Sequence, residues 1–373
     1  MALTDIEAGR LADNVFNVVG ANKNLIINGA MQVAQRGTSH SLAHDGNTGL
    51  WTLDRFAVNM SGADQWDCTV TQSSDAPDGF ANSLLVTTGT PETTIDANEY
   101  FSVQHKIEAQ NLQHIDSGTS SAKALTLSFW VRSSQTGTFA FSIYKGDQTA
   151  RGISATYTIS SANTWEYKTI AIPGDTGGGG IDNDNGNGWN LYLFLAAGSD
   201  WTSTDSTSWI NYVTTGLAYG HAQNGVITTA SATWQITGVQ LEVGSVATPF
   251  EHRSYGDELA RCQRYYYMIA SGSTQSILNG AVYATNNFYG VRNLPVVMRT
   301  APSLDSSNGT NYFDLLSDGS SDLFDSVVIG ATSTTAVEIR ANAGTGLSGA
   351  TAGHAAWMRT NNSSAYIAVT AEL

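Results

Sequence analysis

From Asn24 to Arg253 the chain is a succession of short runs in which apolar and polar residues alternate, and no ten-residue amphipathic pattern of helical period separates them. Among these runs are "NLIINGAMQVAQ", "WTLDRFAVNM", "KALTLSFWVRS", "WEYKTIAIP", "NLYLFLAAG" and "WQITGVQLE". A period of two buries one face of a strand, and strands without crossover helices between them pair antiparallel. The expected fold is therefore all-β, with residues 24–253 forming a jelly-roll-like antiparallel β-sandwich. In the last run Trp234, Ile236 and Gly238 alternate with Gln235 and Thr237, then Val239, Leu241 and Val243 with Gln240 and Glu242, as expected of a strand that ends the sheet. Composition agrees, because 13% charged residues, 37 glycines and 10% aromatics suit a turn-rich protein whose surface is Ser, Thr, Asn and Gln.

Beyond Pro249 the pattern changes. Ser254 with Asp257 makes a capping box, and Leu259, Cys262 and Tyr266 recur at helical spacing, which predicts a short inter-domain helix. Residues 254–373 then read as this helix and a smaller C-terminal β domain. Its runs are few and short, and "DSSNGTNYFDLLSDGSSD" and "GTGLSGATAG" break it up, so burial against partner chains is expected. Tyr265, Tyr266 and Tyr267 suit packing between domains or subunits. At the other end, residues 1–23 read as a short N-terminal helix and linker for anchoring or assembly. Thr4 and Glu7 cap it, and Ala8, Leu11, Val15 and Val18 line one seam. These residues lack the basic start of a secretory signal, and no run reaches the length of a membrane span. The expectation is a homotrimer with no membrane insertion.

No catalytic motif stands out. Gly344, Gly346 and Gly349 match a dinucleotide fingerprint, but "ATAGHAAWM" after them leads into a strand rather than a helix. His40 and His44 have ligand spacing in a turn-like stretch, and Cys68 and Cys262 are two distant thiols. With a net charge of -15 and 17 dispersed Lys and Arg, nucleic acid is excluded as a partner. In "GDTGGGGIDNDNGNGW", Asp182 and Asp184 echo the start of a calcium loop, so structural calcium is the alternative there to an ordinary turn; no other cofactor is expected. Past this loop lie Trp189, Tyr192, Trp201, Trp209 and Tyr212, and Trp201, flanked by Ser, Asp and Thr, is the ring expected to be exposed for stacking on a glycan.

Four segments, "NLIINGAMQVAQRG", "WTLDRFAV", "WQITGVQLEVGSVATPFEHRSYGDELARCQRYYY" and "LPVVMRTAP", resemble in order stretches of phage virion proteins of the tail-fibre or fibre-like family. The resemblance implies a carbohydrate-binding-module-like β-sandwich followed by a C-terminal β domain, often in trimers. It further implies a non-enzymatic virion protein, a tail fibre or spike assembled in the host cytoplasm. Such a protein attaches to a host-surface glycan and joins another virion protein through its N-terminal segment. A capsid decoration or head-fibre protein and a polysaccharide depolymerase are the alternatives.

Overall fold

The computed structural model describes residues 23–43, 49–62 and 65–373, so Ala8, Leu11, Val15, Val18 and His44 lie outside the described residues. The chain divides into two compact units, Met1–Tyr255 with Leu373, and Gly256–Glu372. Two free, buried cysteines, Cys68 and Cys262, are present.

Strands of the first unit are β1 (Ser39–Leu42), β2 (Gly49–Trp51), β3 (Phe56–Ser61), β4 (Cys68–Ser73), β5 (Ser83–Thr88), β6 (Tyr100–Glu108) and β7 (Leu125–Ser133). They continue as β8 (Gly137–Lys145), β9 (Arg151–Ile159), β10 (Glu166–Ile172), β11 (Asn187–Ala197), β12 (Ile210–Asn211) and β13 (Thr233–Val243). They form a sheet ordered β1-β4-β5-β13-β7-β10 and a second ordered β12-β9-β8-β11-β6-β3-β2. Every pairing is antiparallel. The chain crosses between the sheets repeatedly, and Phe129, Val131, Trp234 and Ile236 of one share a core with Phe139, Phe141, Leu191 and Leu193 of the other. This is the expected jelly-roll-like sandwich. The alternation in β13 changes phase at Gly238 because that residue sits at φ +62° in a bulge between Thr237 and Gln240.

One expected strand is absent. "NLIINGAMQVAQ" is irregular, since Asn28 at φ 61° and Met31 at φ 56° turn the backbone and Met31 N donates to Asn28 O. Burial comes instead from polar clamps. Asn28 Nδ2 donates to Val33 O and Asp54 O, Val33 N returns a bond to Asn28 Oδ1, and Asp54 accepts from Gln35 N. Asn24 Nδ2 donates to Val239 O while its Oδ1 accepts from Ile26 N and Leu241 N, and Arg253 reaches Ile26 O. Three of the four family-like segments thus lock one another inside the first unit. Buried polar groups demand such matched partners, which makes these residues scaffold.

The second unit opens within the helix Tyr255–Gln263, whose first residue is the last of the first unit's main span. Tyr266, expected at helical spacing, instead starts a strand; Tyr265 and Tyr266 are buried, and Tyr267 packs on this unit's core with its Oη accepting from Arg292. The strands are β14 (Tyr266–Ser271), β15 (Ser276–Ala284), β16 (Asn287–Asn293), β17 (Ser303–Ser306) and β18 (Phe313–Ser317). They continue as β19 (Ser320–Phe324), β20 (Val328–Thr332), β21 (Ala336–Asn342), β22 (Ala355–Thr360) and β23 (Tyr366–Thr370). These are more strands than the sequence suggested. They make a three-stranded sheet, β14-β23-β17, and a seven-stranded one, β19-β18-β22-β15-β16-β21-β20. The Ser- and Gly-rich stretch expected as a break is a hairpin, its turn made by Asp318 (φ 50°) and Gly319 (φ 71°). Gly344 and Gly346 lie in and just after a short 3-10 turn capped by Asn342, and no helix opens there.

Candidate functional site

Strand alternation decides which rings reach solvent. On β7, Leu125, Leu127, Phe129 and Val131 point into the core, so Ser128, Trp130 and Arg132 point outward. Tyr167 of β10 sits opposite Trp130 in register, and the two ring centroids lie 5.2 Å apart at 49°. Tyr167 is 45% exposed. Across from this pair, Phe80, Phe250 and His252 form a triad with centroids 4.9–5.3 Å apart. The bulge at Gly238 makes room for it, because a Cβ there would lie 2.7 Å from Phe80 Cζ.

Between the two ring groups runs an open groove of about 290 Å³, floored by Ser128 and Gly238, with Asp78 and Pro249 also lining it. Alongside, Asp75 Oδ1 accepts from Trp165 Nε1, and the other oxygen of Asp75 pairs with Arg132, which also reaches Gln235. A slot walled by rings with a polar fringe is built to take a flat, hydroxylated ligand: ring faces hold the C–H surface and the fringe exchanges hydrogen bonds. Sequence reading missed this site. The signal was available, since Trp130 and Tyr167 are large rings on the outward phase of otherwise regular strands.

The aromatic group singled out in the sequence is divided between two layers. Trp189 is buried in the sandwich core, and Trp209 packs on that core while its Nε1 donates to Pro173 O. Tyr192 belongs to a small apolar layer on the outer face of the second sheet with Phe194, Ala140 and Leu217; Tyr100, Tyr144, Tyr212 and Trp201 pack on that layer. Burial raises the pKa of the Tyr192 phenol, and the neighbouring tyrosines add to the effect. Trp201 itself corrects the expectation of an exposed platform. It is half-buried, meets Tyr100 edge-on at 4.6 Å, and donates its Nε1–H to Asn98 O, so its N–H and much of its surface are engaged within the protein.

Asp182 and Asp184 are both exposed; Asp182 accepts from Gln148, and Asp184 accepts from Gly186 N in its own turn. No group of three His, Cys, Asp or Glu side chains positioned for a metal exists among the described residues. The cation held by this glycine-rich loop is the chain's own. Lys145 Nζ, fully buried, donates to Gly179 O at 2.7 Å and Gly178 O at 3.3 Å and lies 3.5 Å from Asp175, which also binds Arg151. Burial lowers the pKa of Lys145, and Asp175 opposes that effect. His40, the described member of the histidine pair, contacts Gly37 O through Nε2.

No protein-family model matches the chain, and no curated protein matches it. Solved structures with partial likeness include the enzymatically active domain of tailspike protein 4 of Bacteriophage CBA120, at 14% identity and a TM-score of 0.30 over 60% of this chain. This chain covers 22% of that tailspike chain. A family 11 carbohydrate-binding module of a cellulosomal cellulase of Clostridium thermocellum matches at 14% identity and a TM-score of 0.28, over 58% of this chain and 98% of the module. A putative sugar binding protein from Bacteroides thetaiotaomicron matches at 9% identity and a TM-score of 0.32, over 59% of this chain and all of that one.

Proposed function

We propose that the chain is a non-enzymatic bacteriophage virion protein, a homotrimeric fibre or spike that attaches to a host-surface glycan through the groove between Trp130, Tyr167, Phe80, Phe250 and His252. The observation that carries the binding part is the groove itself, five rings around an open slot with polar groups at its edge. The virion part is supported by the four family-like segments. The absence of cleavage is supported by the lining, where Asp78 is the one carboxylate. Glycoside hydrolysis calls for a pair of carboxylates flanking the bond, and nearby Asp75 is committed to Arg132 and Trp165. Stacking with a few exposed hydrogen bonds gives weak single-site affinity, about millimolar, and copies of the chain supply avidity.

The test is binding of the intact chain to host polysaccharide, with reducing ends assayed in parallel. Trp130→Ala and Tyr167→Ala are each expected to weaken binding on the order of tenfold without lowering the melting temperature by more than a few degrees. Released reducing ends would refute the non-enzymatic reading. Unchanged binding by both variants would remove the groove. Imaging of particles with tagged protein distinguishes tail from capsid; label on the capsid surface would favour a decoration protein.

A further inference from the structure

The seven-stranded sheet of the second unit has one face in the core and one face without cover from its own unit. Ile277, Val282, Phe288, Phe313, Leu315, Val337, Ile339 and Met358 point inward and are buried. On the opposite phase, Tyr283 is 76% exposed and Val291 62%, with Trp357, Leu323 and Val328 each at 37–38%. These five residues come from β15, β16, β22, β19 and β20, so the apolar surface extends across the sheet. Register pairs Trp357 with Leu316 and Asn279, and Ala281 with Tyr289 and Ala355.

We infer that this face is an interface with further copies of this chain. Charge is the first argument. The charged side chains along the face pair with each other: Arg359 donates to Asp314 at 2.7 and 2.9 Å, and Arg340 binds Glu338. These two acids and two bases cancel and leave Asp318, at the hollow and 3.7 Å from His354 Nδ1, so this surface of a chain with a net charge of -15 meets a copy with less repulsion than the rest of the molecule would meet.

Shape is the second argument. A hollow of about 620 Å³ lies beside Trp357, between Asn279, Ala355 and Leu316 and the Asp318–Gly319 turn. Tyr283, stacked on Tyr289 at 5.4 Å, projects from the same sheet. A hollow and a projection on one face are the elements of a contact between identical copies.

Area is the third argument. Seven strands spaced about 4.8 Å apart, each roughly 20 Å long, present on the order of 600 Å² before side-chain relief is counted, which approaches the ~800 Å² per partner of a stable interface. A sugar is a poorer fit than a second copy. Trp357 Nε1 already donates to Ser276 Oγ, and the Asp314 and Glu338 carboxylates are bound to arginines, so the polar groups left to a ligand gather at the hollow, Asn279 and Asp318 among them, and the rest of the face is apolar.

The inference rests on the trimer reading only for the number of copies, and not on glycan binding. Its test uses the intact chain at micromolar concentration, with mass by light scattering and tyrosine nitration followed by peptide mapping. The expected mass is three chains, with Tyr283 nitrated at least fivefold more slowly than Tyr255, although Tyr283 is the more exposed of the two in a single chain at 76% against 58%. Val291→Glu, on an exposed position, should keep the fold, lower the mass and bring Tyr283 nitration up to the Tyr255 rate. Val246→Glu, 74% exposed in the first unit, should change neither. A mass of two chains with Tyr283 protected upholds the face and overturns the trimer. A wild-type mass of one chain, or Tyr283 nitrated as fast as Tyr255, overturns the inference. So does polysaccharide binding that Val291→Glu abolishes at an unchanged one-chain mass, which would make the face a ligand site; loss of binding in Trp130→Ala alone leaves it standing.

Discussion

In the first unit the chain returns over the outer faces of its own sheets, whereas in the second the large sheet leaves its outer face bare. Thr248 and Glu251 bind back to Glu242 and Gln240 on β13, and Phe80 lies over Gly238. On the other side, Leu217 and Ala218 cover Phe194 and Tyr192. What remains open is a groove, the shape of a ligand site. Among the described residues nothing comparable covers Tyr283 and Val291 of the second unit, and its Arg359–Asp314 and Arg340–Glu338 pairs lie on that face. The difference teaches how each unit is stabilised. One completes itself from within a single chain, and the other, if copies of the chain cover its bare face as proposed, should have a stability that follows chain concentration.

The largest effect that could break this comparison is at Lys145. Its ammonium holds the carbonyls of the glycine loop and one side of Asp175 with no access to water. Lys145→Met removes one partner of a buried pair and orphans carbonyls, at a cost of about 3–5 kcal/mol. Of the 9 tryptophans only Trp357 lies in the second unit, so tryptophan fluorescence in a denaturant titration follows the first. The first unit's transition should move and the second's should stay. If both move together, the two units are not independent in stability.

Lys145 also marks what the sequence allowed and what it did not. Period-two alternation made the sandwich legible, and the phase change at Gly238 was visible as a change in which residues alternate. The cation in the glycine loop was not legible. Asp182 and Asp184 attracted attention because they are adjacent in sequence to the glycines, while the true partner is 34 residues from Gly179 and reaches it only through the pairing of β8 with β11. The groove failed for a similar reason. Its walls come from Phe80, Trp130, Tyr167 and Phe250, four separate segments that only sheet order brings together. Trp201 looked exposed because its sequence neighbours are polar, yet its packing partner is Tyr100, half the unit away in sequence. In the second unit the Asp318–Gly319 hairpin was passed over because its flanks are serine-rich rather than apolar.

A smaller effect, about 3 kcal/mol, is expected from pH. His221 is buried against β8, where Ala140 N donates to its Nδ1, and burial pushes the imidazole down to about 4 from an ordinary value of 6.5. Between those values the unfolded chain binds a proton at this site and the folded chain does not, so stability falls as pH drops from 6.5 to about 4 and this contribution levels off below. His105, fully buried in the same unit, is lowered well below 6.5 by burial and by Arg55, and acts in the same direction. His221→Gln should flatten the slope of the fluorescence-detected transition across that window. A first unit equally stable at pH 7.5 and 4.5 would mean that water reaches these rings.

The smallest effect sharpens the comparison most directly, because it needs no substitution. If the bare face is covered by other copies, unfolding of the second unit includes their separation, and dilution favours it. For three chains leaving one assembly, a tenfold dilution lowers stability by about 1 kcal/mol per chain, since two units of association at ~1.4 kcal/mol each are shared among three. Calorimetry at 5 and 50 micromolar should show a second-unit transition displaced by a few degrees, while the first-unit transition, identified by its coincidence with tryptophan fluorescence, stays fixed. The displacement should vanish in Val291→Glu, whose second unit should melt at the same lowered temperature at both concentrations. A concentration shift confined to the first unit would place the contact between copies on the sandwich, and the groove of Trp130 and Tyr167 would then be the surface to re-examine as an interface.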